Sequence, residues 1–176
     1  MGMEFYGDSY KGNDEPIFVG IPTFLKLPRL RSKAELNKVK PDVAIIGEPF
    51  DFGTTIRPGA RYGPRAIRAA STVPSPPYEH FNIETGMDPF GVFKTIDYGD
   101  VNISPGDVIE SHRRMTDKVK EVLDVDGIPV MLGGDHSITF ANVRAFAKKY
   151  KNIGMIHIDT HADCAPQGLC GFKYDH

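Results

Sequence analysis

The sequence predicts an α/β fold with three layers, αβα, around a mostly parallel sheet. Three observations lead there. Short continuous apolar runs, VAIIG at 43–47, IPVML at 128–132 and NIGMIHI at 152–158, suit strands covered on both faces. Segments with helical spacing stand between such runs, which argues for parallel strands joined by helical crossovers. Polar residues able to do chemistry follow two of the runs directly, and ligands of open parallel sheets bind beyond the carboxyl ends of the strands.

The elements follow in order. Residues 1–40 read as an irregular segment, because PIFVGIPTFLKLP is apolar but broken by Pro22 and Pro28. This segment is expected to wrap the domain or to pack on a neighbouring subunit. The α/β domain begins at 41 and continues to 176. VAIIG is the first strand, closed by Gly47. A long turned loop follows, marked by Gly53, Pro58, Gly59 and Gly63. Pro64 suits the first turn of a helix, which PRAIRAAS continues. FKTIDYGD (93–100) is the second strand. A helix is expected from about Asp107, with Val108, Met115, Val119 and Val122 on one face. IPVML is the third strand, stopped by Gly133 and Gly134. SITFANVRAFAKKY is a helix with Ser137 as its cap and Lys148 and Lys149 in its last turn. NIGMIHI is the fourth strand.

Bulk properties exclude several classes. A chain of 176 residues is enough for one domain with a core and short for two. A net charge of −2 points to neither nucleic acid nor an anionic membrane as partner. No apolar run approaches the ~18 residues that would span a bilayer. The opening MGMEFYGDSYKGNDE is polar and lacks the apolar core of a secretory signal. Tyr6 stands where a myristoylation signal needs Ser or Thr. Two cysteines, Cys164 and Cys170, make no disulfide framework and match no common zinc spacing, so they read as unligated thiols. The expected compartment is the cytoplasm.

The chemistry lies in VMLGGDHS and IHIDTHADC. The first places Asp135 and His136 just past the third strand, and the second places Asp159, His161 and Asp163 at every second position. A strand alternates its faces with period two, so those three side chains are expected to point one way. Two imidazoles, His136 and His161, and two carboxylates, Asp159 and Asp163, are costly to gather without a cation. Mixed nitrogen and oxygen donors suit Mn²⁺, and also Ni²⁺, Fe²⁺ or Zn²⁺. A carboxylate can bridge two ions, and two ions ~3.5–4 Å apart generate hydroxide near neutral pH. The competing reading has Asp159 and Asp163 capping a turn while the histidines sit in the core. His157 shares the triad's parity but lies deeper in the strand, and reads as a supporting or core histidine. His80 and His112 read as surface residues. The 53–63 loop lacks the Lys-Ser/Thr of a P-loop. It is either a wall of the active-site mouth or a structural turn. Arg57, Arg61, Arg65 and Arg68 would bind an acidic substrate group or, more often for such a basic run, pack on another subunit or face solvent.

These motifs carry a family resemblance. GGDHSIT and IDTHADC resemble the two N-terminal metal motifs of the ureohydrolases, the family of arginase and agmatinase. PFDFGTTIRPGARYGPRAIR resembles their early loop and helix, in the agmatinase form. The resemblance implies an arginase-like sheet and two Mn²⁺ ions, with Ni²⁺ as the other candidate. It assigns His136 to one ion and His161 to the other, with Asp159 bridging them and Asp163 completing the shell of the first ion. It assigns His176, fifteen residues beyond His161, to proton transfer or substrate orientation. The implied reaction is hydrolysis of a guanidino C–N bond, agmatine giving putrescine and urea. Guanidinobutyrate and guanidinopropionate are related substrates. A non-catalytic assembly subunit of the same fold is the alternative from another class. A deacylase of the related fold is disfavoured by the G-G-D-H motif and the P-G-A-R-Y-G-P loop. The resemblance also implies a homo-oligomer, a trimer or hexamer. It places further ligands in a downstream D-x-D, with a glutamate that holds the guanidinium. The chain stops before either, so it is expected to be the N-terminal part of a longer protein, and the 176 residues alone are not expected to hold both ions tightly.

Overall fold

The computed structural model describes residues 18–72 and 81–163. Three strands form one parallel sheet in the order β2-β1-β3: β1 Val43–Glu48, β2 Thr95–Asp100 and β3 Ile128–Gly133. The helices are α1 Lys33–Val39, α2 Gly63–Ser71, the single turn α3 Pro89–Val92, α4 Val108–Asp124 and α5 Ile138–Lys149. Chain order alternates strand and helix from β1 onward, as the apolar runs predict.

Central β1 is buried along nearly its whole length, which is why VAIIG reads as a continuous apolar run. Ala44 and Ile46 join Met115, Val119 and Val122 of α4 and Ala141 and Ala145 of α5 in one core. Burying each such large side chain contributes ~1.5–3 kcal/mol. On the opposite face a Cβ at Gly47 would collide with the Asp100 carboxylate and the Arg68 guanidinium, so only glycine fits beneath α2. The sheet is therefore covered on both sides, giving the αβα layering. Asp107 caps α4 by accepting a 2.9 Å hydrogen bond from Glu110 N.

Four expectations need correction. The segment before residue 40 is not wholly irregular, for α1 lies in it. Ser32 accepts from Glu35 N at 3.2 Å and the Glu35 carboxylate accepts from Arg31 N at 2.6 Å, a close relative of a capping box. Residues 28–30 also run parallel along the outer edge of β2, with Leu30 N donating to Asp97 O and Asp97 N to Pro28 O. NIGMIHI forms no strand: among the described residues it has no ladder partner, and Ile156 and Ile158 are 92% and 93% exposed. A strand requires a neighbour to take its N–H and C=O groups, whatever its apolar content. His112 is buried rather than superficial, four residues after Val108 and three before Met115 on the inner face of α4. Arg68 is likewise buried. It donates to both oxygens of Asp97, at 2.7 and 2.9 Å, and contacts Asp100.

Among the described residues no helix is long and apolar enough to cross a membrane.

Candidate metal centre

Two loops leave the carboxyl edge of the sheet side by side, one after β1 and one after β3. The first is organised by Asp51, a buried carboxylate. It accepts from Gly59 N at 2.7 Å, from Arg61 N at 3.3 Å and from Arg61 Nε at 2.6 Å. The Arg61 guanidinium foremost, with these backbone N–H groups, holds the Asp51 carboxyl below its usual range. Arg61 also stacks over Phe52, 4.8 Å from the ring centroid. The 53–63 loop is thus a tightly tied structural turn, and its polypeptide lies against the second loop. Gly134 N donates to Ala60 O at 3.4 Å, and a Cβ on Gly63 would collide with Gly133 O.

The second loop begins at Gly134, whose φ of +82° favours glycine and whose close approach to Glu48 O leaves no room for a side chain. Asp135 N donates to Phe50 O at 2.8 Å. The Asp135 carboxylate accepts from Gly53 N at 2.8 Å, from Ser137 N at 3.0 Å and from Ser137 Oγ at 2.5 Å. Ser137 therefore spends its hydroxyl on Asp135 and makes no cap bond to α5.

His136 follows Asp135 and meets the segment 153–163. Its Nδ1 contacts Asp163 Oδ2 and lies 3.7 Å from Asp159 Oδ2, and its ring is 5.2 Å from that of His157. Asp163 reaches back because its own backbone is left-handed, φ +45°, a conformation Asp tolerates better than most residues. One donor atom from each of His136, His157, Asp159 and Asp163 lies within 4.8 Å of all the others. Donors sharing one transition-metal ion, each about 2.0–2.2 Å from it, stand roughly 3–4.5 Å apart, so this group has the dimensions of a slightly open shell.

Of the residues singled out from sequence, His136, Asp159 and Asp163 come together. His161 does not join that group: its side chain is 78% exposed, with Nδ1 3.8 Å from Asp159 Oδ1. His157 takes a place in the group instead, with Nε2 3.8 Å from Asp159 Oδ2. The two oxygens of Asp159 thus face different histidines, Oδ2 toward His136 and His157 and Oδ1 toward His161. A hydrogen bond from His161 N, 3.0 Å to Oδ1, lowers the pKa of Asp159. His176, Cys164, Cys170 and His80 lie outside the described residues.

A parallel α/β sheet with nitrogen and oxygen donors converging beyond its carboxyl edge defines the class: an α/β protein with a candidate divalent-cation site. The model of the arginase family matches residues 41–176. Guanidinobutyrase from Pseudomonas aeruginosa is 41% identical over 152 residues, covering 86% of this chain and 46% of that protein. Mitochondrial agmatinase from Gallus gallus is 37% identical, covering 86% and 42%. The solved structure of proclavaminate amidinohydrolase from Streptomyces clavuligerus superposes with a TM-score of 0.77 at 34% identity, covering 92% and 50%. Trypanosoma cruzi formiminoglutamase with Mn²⁺ superposes at 0.68 and 27% identity, covering 88% and 50%. The chain belongs to the arginase family, and it spans about half the length of the relatives it matches.

Proposed function

We propose that this chain carries part of a binuclear-metal ureohydrolase site, which cleaves a guanidino C–N bond and releases urea and an amine. The observation that carries the reading is the convergence of His136, His157, Asp159 and Asp163, with His161 on the far side of Asp159, in an arginase-family chain. Two imidazoles and two carboxylates within one ion's span fit Mn²⁺ or Ni²⁺ by donor type. Divalent ions held there would supply a nucleophilic water near neutral pH, which a resonance-stabilised guanidinium carbon requires. His136 and Asp163 would hold one ion, His161 the other, and Asp159 both. His157 would either join the first ion or hydrogen-bond to Asp159 and orient it. His176 would protonate the leaving amine.

The substrate belongs to the linear guanidino compounds. Agmatine, with a cationic tail, and guanidinobutyrate, with an anionic one, are the two to separate, since relatives named for each reaction lie at 37% and 41% identity. A homo-oligomer and a cytoplasmic location belong to the same reading. The test is urea release by the natural polypeptide containing these residues, loaded with Mn²⁺ or Ni²⁺. Its panel is agmatine, guanidinobutyrate, guanidinopropionate and arginine. Metal-dependent urea from at least one compound is expected. No urea from any of them would turn the reading toward a non-catalytic subunit.

A further inference from the structure

We propose that Asp135 is a positioning residue: its buried carboxylate ties the backbone just after His136 to the loop after β1, so that the imidazole meets a divalent cation already oriented. The inference rests on the metal reading above and adds a residue to it. Asp135 is 5% exposed, and no Lys or Arg salt bridge reaches it among the described residues. A carboxylate so placed is costly unless its oxygens are filled by donors. Three donors fill them, and their distribution is informative. Ser137 N and Ser137 Oγ hold Oδ1, immediately after His136, while Gly53 N holds Oδ2 from a loop 82 residues away in sequence. Asp135 N, immediately before His136, donates to Phe50 O. The carboxylate thus links Ser137, just after His136, to Gly53 in the loop after β1, while the backbone N–H of Asp135, just before His136, fastens to Phe50 of that same loop. A cap for α5 would need only the Ser137 arm. The Gly53 arm does nothing for that helix and fixes the height of His136 above the sheet.

The substitution that isolates this role is Asp135→Asn. It conserves shape, but whichever way the amide is turned, its NH₂ faces a backbone N–H, of Gly53 or of Ser137. In the metal-free protein, Asp135→Asn should speed amide exchange at Gly53 or Ser137 at least tenfold, with the circular dichroism of the wild type retained. In calorimetric titrations with Mn²⁺, it should weaken binding 10–100-fold, the scale known for groups that orient metal ligands. Equal Mn²⁺ affinity in wild type and Asp135→Asn would overturn the positioning role alone. No Mn²⁺ uptake by the wild type would overturn the metal reading and the proposal with it. Should Asp135→Asn fail to fold, Ser137→Ala decides, because it removes only the hydroxyl bond. Mn²⁺ affinity reduced at least threefold is then expected, and unchanged affinity would overturn the proposal.

Discussion

Asp135 and Asp159 are both carboxylates beside the candidate metal position, and they are held in opposite ways. Asp135 belongs to a frame of two loops anchored on β1 and β3, where every oxygen of the two organising carboxylates, Asp51 and Asp135, accepts from a named donor. Asp159 belongs to an arm, residues 151–163, whose residues are all exposed. Among the described residues no backbone hydrogen bond outside regular elements ties that arm to the frame. The arm meets the frame at His136. The frame is fixed by folding alone, whereas the arm holds acids that repel one another and would be drawn in by a cation. With a cation bound at His136, such a division would make binding a partial folding event, with ion affinity and ordering of the arm linked.

The comparison can be broken from the side of the frame. Arg68 is buried between Asp97 and Asp100, and Asp97 also accepts from Phe24 N at 2.9 Å. Removing one partner of a buried ion pair leaves an uncompensated charge and typically costs ~3–5 kcal/mol. Arg68→Ala should therefore destabilise the fold by about that amount in urea melts, with the frame lost before any effect specific to metal. A loss under about 1 kcal/mol would mean that the frame does not depend on this contact.

A smaller effect sharpens the same point. Glu48 ends β1 with no exposed surface, and burial pushes its carboxyl up to about 7, offset in part by a 2.9 Å hydrogen bond from Asn142 Nδ2. Among the described residues, Glu48 Oε1 and Asn142 Oδ1 are both buried acceptors without a hydrogen-bond donor. The folded protein therefore holds this proton more tightly than the unfolded chain, whose carboxyl titrates near 4.5. The penalty is absent below about pH 4.5, grows as pH rises toward 7, and is complete above it, on the order of 3 kcal/mol. Glu48→Gln keeps an acceptor for Asn142 Nδ2 and removes the titration. It should stabilise the protein at pH 8, leave it little changed at pH 4.5, and flatten the slope between. An unaltered slope in denaturant melts across that range would assign the pH dependence elsewhere.

What the sequence made legible divides along the same line. The strands and helices of the frame were readable because burial on both faces writes continuous apolar runs, and because Gly-Gly-Asp-His at a strand end is an unusual place for an imidazole. The buried role of Arg68 was not read, although two acids, Asp97 and Asp100, in an otherwise apolar strand called for a cation. His112 stands among charged residues, and only its spacing from Val108 and Met115 marks it for the inner face of α4. Asp51 was not singled out at all; a carboxylate between Phe50 and Phe52 in a Gly-rich loop was the available signal. The arm was read by period-two alternation, an argument valid only for extended chain. The left-handed Asp163 and the unpaired backbone of 153–158 end that regularity, and His157 instead of His161 faces His136.

The measurement closest to the central claim is hydrogen exchange along residues 153–163, with and without Mn²⁺. If the frame and the arm share a divalent cation, Mn²⁺ should slow exchange in the arm and around His136 at least tenfold while leaving α4 and β1 unchanged. Equal exchange in the arm at saturating Mn²⁺ would contradict it.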